Sequence, residues 1–155
     1  MTEEILSRLK LPNAVVKDVA HLVAHHMFNY QEEWSDAAVR RLIARVGEGK
    51  VKDIIALRRA DQIGMCRENA RTFPEGLAAF AARVSSVLDA GRAFTVRQMA
   101  ANGVDIMSRL GLPPGPQVGI ILEELLQAVL DDPSMNEKEK LLQIAEKFYN
   151  QRLKE

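Results

Sequence analysis

The chain has 155 residues, with 21 Lys and Arg against 21 Asp and Glu, and this balance excludes a histone-like basic protein. Hydrophobic residues at 47% and charged residues at 27% suit a soluble globule and argue against a disordered chain. The single cysteine, Cys66, excludes an internal disulfide framework and fits a reducing compartment, while aromatics at 5% are too few for base-stacking platforms to be the main binding device.

Apolar spacing is helical nearly throughout. Asn13 is expected to cap a first helix whose apolar positions are Val15, Val16, Val19, Leu22, Val23 and Met27. Ser35 is the next cap, followed by Val39, Leu42, Ile43 and Val46 on one face, with Gly47 as the stop. Val51, Ile54, Ile55 and Ile63 mark a third helix. Leu77, Phe80, Ala81, Val84 and Leu88 mark a fourth, between Pro74 and Gly91. A composition shift follows at Ala90-Gly91-Arg92. Beyond it come two short pieces, 95–101 and 102–110, and the turn Gly111-Leu112-Pro113-Pro114-Gly115-Pro116. An amphipathic helix then carries Val118, Leu122, Leu125 and Val129. The last helix opens on Asn136 with Glu139 at capping-box spacing, and buries Leu141, Leu142, Ile144, Ala145 and Phe148. No stretch shows the alternation of a strand. The expected class is all-α: an irregular bundle of about seven or eight helices in two packed subdomains, residues 1–90 and 91–155.

Residues 1–20 carry Glu3, Glu4, Lys10, Lys17 and Asp18 and lack the unbroken apolar core of a secretory signal. Apolar stretches such as Gly119-Ile120-Ile121-Leu122 fall far short of a membrane span. A cytoplasmic protein is expected.

Charge is unevenly spread. Residues 35–97 carry 12 basic and 7 acidic side chains, a local excess of five, and ten of the twelve are Arg. Arg presents a planar fork suited to phosphate. Arg41 and Arg45 share a helix face, as do Arg67 and Arg71 if the third helix runs that far, and Arg40 lies at the core edge beside Val39. Such a row suits a nucleic-acid backbone, although a solvated face with intrahelical pairs to Asp36, Glu48 or Asp53 would look the same in sequence. The turn at 111–119 is the second suggestive feature. Pro116 fits a first helical position, Gly115 lets the backbone approach a ligand, and the amides that follow can hold a phosphate, by the logic of helix-hairpin-helix elements. The alternative is a tight interhelical turn with Gly119 allowing close packing.

His21 and His25 are spaced for one metal ion, but no Cys/His cluster supplies the remaining ligands. Asp61 lies near apolar positions as either a hydrogen-bond anchor or a metal ligand. No nucleophile elbow, P-loop or dinucleotide fingerprint is present.

The stretches His25-His26-Met27-Phe28-Asn29-Tyr30, Trp34 to Arg41, Leu57-Arg58-Arg59-Ala60-Asp61, Asn102 to Met107, Gly111 to Gly119, Leu122 to Leu126, Asp132-Pro133 and Asn136 to Glu139 occur in one order. Together they resemble the bacterial tRNA nucleotidyltransferase (CCA-adding) and poly(A) polymerase family, over its C-terminal part. The catalytic head of that family needs a Gly-rich nucleotide motif and an Asp-x-Asp pair for two metal ions, and this chain has neither. Many members also carry an HD-type phosphohydrolase domain. Of its ligands, His25 or His26 matches the later histidine region and Asp61 the closing Asp, with no His-Asp doublet.

The resemblance implies a segment of a larger enzyme: the end of an HD-type domain followed by a helical tail that holds tRNA or another structured RNA by shape and backbone. Arg40, Arg41, Arg45, Arg58 and Arg59 are the expected phosphate contacts, with the Gly115 to Gly119 turn as a second contact. No catalytic residue is expected, and Mg and nucleotide belong to the missing head. Two alternatives stand beside this one. A degenerate phosphohydrolase would hold a metal on His25, His26 and Asp61. A helical interaction module would form a homodimer through an exposed first helix bearing Val16, Val19 and Val23.

Overall fold

Apolar residues recurring every three or four positions wind into helices wherever a core is available to cover them. The computed structural model describes residues 1–28, 30, 33–65, 75–90 and 95–153, and in them the chain is all-α: eight α-helices, three single-turn 3-10 segments and no strand. The helices group into two units. Residues 1–34 and 42–86 form the first, residues 35–41 and 87–155 the second.

The first unit opens with α1 (Thr2–Arg8), a two-turn helix with no buried residue, packed on α2 (Asn13–His25). Pro12, rather than Asn13, is the N-cap of α2. Its fixed φ of −56° starts the turn, the Val16 N–H closes on its carbonyl at 3.0 Å, and Asn13 becomes the first helical residue. The apolar face expected to lie open at Val16, Val19 and Val23 is covered: Val16 is buried and the other two are half-buried, because α1 and α4 (Val51–Met65) pack against α2. That removes the stated basis for a homodimer through this helix. Met27 falls beyond the end of α2 and is exposed.

The helix α3 (Asp36–Val46) begins as expected at Ser35, whose Oγ accepts the Ala38 N–H at 3.3 Å. It stops at Gly47, where φ is +91°, a conformation that a Cβ would strain. A 3-10 turn, Glu48–Lys50, leads into α4, and α5 (Glu75–Asp89) follows; Pro74 and Gly91 lie outside the described residues. Within the first unit, Phe80 of α5 is fully buried beneath Phe28, Tyr30 and Trp34, with ring centroids at 5.1, 4.8 and 6.3 Å. Half of the eight aromatic residues therefore pack one spot, as tilted and edge-on pairs.

In the second unit α6 (Gly103–Leu110), α7 (Pro116–Asp131) and α8 (Lys138–Arg152) enclose Ile106, Val118, Ile121, Leu125, Val129, Leu141, Leu142 and Ala145. The capping box sits at α6. The Asn102 side chain accepts from Val104 and Asp105 N–H at 2.9 and 3.1 Å, and Asp105 returns a bond to the Asn102 N–H at 3.0 Å. Asn136 does not cap the last helix as expected. Its side chain instead accepts the Ala100 N–H at 2.8 Å and donates to the Gln98 carbonyl at 3.3 Å, tying the 95–101 segment to the start of α8. Glu137 stands at the N-cap without a side-chain capping bond, its carboxylate accepting from Lys140 Nζ at 2.8 Å. Gly111 ends α6 in the left-handed region, with φ +66°.

Candidate nucleic-acid interface

The five arginines expected to face phosphate have different surroundings. Arg40 is half-buried and binds the chain itself: its Nε–H donates to the Leu130 carbonyl at 2.6 Å and its Nη2 to the Asp131 carbonyl at 3.0 Å. Those are carbonyls of the last turn of α7, which have no helical partner, so Arg40 caps that helix end and opposes its dipole. Arg41 pairs with the Asp131 carboxylate. Both contacts lie inside the second unit. In the first unit Arg58 is paired with Asp61 at 3.0 Å and donates to the Met27 sulfur at 3.5 Å. Arg59 is exposed and also has a partner within the chain. Arg45 is exposed, and among the described residues its guanidinium has no partner. Arg67 and Arg71 lie outside the described residues.

The 111–119 turn takes the expected form at Pro116, the first residue of α7. Gly115 is exposed, in extended backbone that any residue adopts, and a Cβ there would meet only the Pro113 carbonyl at 3.9 Å. Gly119 does not serve close packing: it is exposed, and a Cβ would meet nothing within 4 Å. Neither glycine is required by the interior.

The histidines face the backbone. The His21 Nε2 lies 2.8 Å from the Val46 carbonyl, His25 Nδ1 2.8 Å from the His21 carbonyl and His26 Nδ1 2.6 Å from the Val23 carbonyl. Among the described residues no three His, Cys, Asp or Glu side chains converge as a metal site. Asp61 takes its positive partner from Arg58. His25, His26 and Asp61 therefore do not fit an HD-type metal here.

Charge in the second unit is paired across helices. Lys138 of α8 reaches Asp105 of α6 at 2.7 Å, and Arg109 of α6 bridges Glu146 at 2.7 Å and Glu139 at 3.3 Å. The Lys138 bond, then the Asn102 N–H, hold the Asp105 carboxyl below its ordinary pKa. Glu146 raises that of Arg109. Asp132 is lowered by the Ser134 hydroxyl and N–H.

One feature escapes the arginine pattern. Lys17, Asp18 and His21 of α2, Val46 at the end of α3, and Gly47, Gly49 and Lys50 of the turn after α3 line a cleft of about 550 Å³ in the first unit. The lysines are far apart in sequence, so spacing does not pair them; the run Gly47-Glu48-Gly49-Lys50 is the signal that was available.

The family described as tRNA nucleotidyltransferase domain 2 matches residues 1–145. The chain belongs to this family. A relative named as an A-adding tRNA nucleotidyltransferase, from Deinococcus radiodurans, is 38% identical over 136 residues, covering 83% of this chain and 29% of its own length. This member of the family thus spans under a third of that curated relative. No solved structure matches the chain. No described helix is long and apolar enough to cross a membrane.

Proposed function

We propose that this chain is the non-catalytic, tRNA-holding part of a cytoplasmic tRNA nucleotidyltransferase-like protein, gripping RNA by backbone and shape. The observation that carries the reading is the family match along residues 1–145 to a domain numbered as the second of such enzymes. The absence of any Asp-x-Asp pair from the sequence agrees with it, since phosphoryl transfer in this family rests on two carboxylate-held metal ions. Within the first unit Arg45 is the phosphate contact best supported by its surroundings, with Arg59 exposed on α4. Arg58 serves Asp61 first. Within the second unit the exposed Gly115 and Gly119 leave the start of α7 accessible to a phosphate, while Arg40 and Arg41 hold the far end of that helix.

The reading is tested by titrating labelled tRNA with the full chain at low salt, and in parallel by incubating tRNA lacking its 3′ terminal adenosine with ATP and Mg. Saturable binding with no nucleotide incorporated is expected. Loss of detectable binding, or nucleotide addition by the chain alone, overturns it.

A further inference from the structure

We propose that the cleft between α2 and the Gly47–Lys50 turn is a subsite for a phosphate of the RNA backbone, an assignment that rests on the tRNA-holding reading above. Lys17 of α2 and Lys50 of the turn both line the cleft, beside the Asp18 carboxylate. Lys17 is exposed and, among the described residues, has no ion pair. Lys50 is held across the cleft by Asp18, with Nζ to Oδ1 at 2.9 Å. Asp18 is itself 60% exposed, so an arriving phosphate competes with a solvated carboxylate for Lys50. Two of the lining residues, Gly47 and Gly49, present backbone alone. A Cβ at Gly47 or at Gly49 would meet nothing within 4 Å, and Gly49, unlike Gly47, has no positive φ to require glycine. The open backbone at Gly49 leaves room for a phosphate to approach it closely. The wall is fixed by His21, bonded to the Val46 carbonyl at 2.8 Å. At about 550 Å³ and open to solvent, the cleft admits a phosphate with its flanking sugars and suits a polymer passing over the surface. Ammonium groups read charge and carry no base preference, as backbone holding requires.

The test measures tRNA affinity of the full chain against salt for Lys17→Gln, Lys50→Gln, Asp18→Asn and, as a control in the other unit, Lys147→Gln. Each cleft lysine variant should weaken binding, by roughly threefold to tenfold at low salt, and lower the slope of log affinity on log salt by about 1. Asp18→Asn frees Lys50 and should strengthen binding by about twofold, a change of sign that a merely structural Asp18–Lys50 pair would not produce. Lys147→Gln should match the wild type. Unchanged affinity and slope in both lysine variants, with the wild type still binding, overturns the cleft and leaves the tRNA-holding reading in place. A wild type that binds no tRNA overturns both.

Discussion

Arg40 shows how a residue read as a ligand contact can be a structural one. From sequence it is an Arg at the edge of an apolar helix face, beside Val39 in a basic stretch. Its partners, the Leu130 and Asp131 carbonyls, lie about ninety positions along the chain, beyond the reach of any spacing argument. Arg40→Ala should leave the end of α7 uncapped and cost about 1–2 kcal/mol, since hydrogen bonds from a charged donor exceed neutral ones and the helix end also loses its countercharge. Urea unfolding of the two proteins measures this; an unchanged midpoint would mean that water replaces the guanidinium at no cost. Arg45 should behave in the opposite way. It is exposed and unpaired among the described residues, so Arg45→Gln should leave the unfolding free energy within about 0.5 kcal/mol of wild type while weakening tRNA binding at low salt. The two variants separate the role in folding from the role in binding.

At the scale of elements, legibility followed the size of the apolar face. The helices carrying Val39 to Val46, Leu77 to Val84, Val118 to Val129 and Leu141 to Ala145 were readable because each buries a full stripe. The helix α1 was not, because seven residues with none buried leave no stripe to read, and so short a helix depends on packing against α2. Caps were readable only where the competing partner is local. Ser35 caps its helix because its donor, the Ala38 N–H, is three residues on. Asn136 does not, because the 98–100 backbone, distant in sequence, takes its side chain. The Asp105 carboxylate, bonded to Lys138 of α8 and then to the Asn102 N–H of its capping box, makes the α6–α8 contact sensitive to acid. Asp105 and Asp132 are both held below the ordinary carboxylate pKa. A carboxyl whose pKa is lower folded than unfolded contributes stability that is complete above the unfolded value, about 3.9, and is lost as pH falls through the folded one. The melting temperature should therefore drop as pH is lowered below about 4, and Asp105→Asn should shrink that drop. An acid limb identical in Asp105→Asn would remove Asp105 from this role.

For the whole molecule the total charge is uninformative and its distribution is not. Equal numbers of acids and bases give no net attraction to a polyanion, so the proposed hold on RNA rests on local groups such as Arg45, Lys17 and Lys50. Family membership was legible because the matching stretches run in one order along nearly the whole chain, and that order survives where single motifs are weak. The proposed phosphate contacts are less legible. Composition counts arginines without showing that Arg41 and Arg58 pair with carboxylates of their own chain. The measurement that bears most directly on backbone holding is the affinity for two tRNAs of unrelated sequence, from about 50 to about 200 mM salt. The expected result is equal affinity for both, falling linearly on logarithmic axes with a slope set by a few phosphates. Binding that ignores salt, or that favours one sequence strongly over the other, would contradict it.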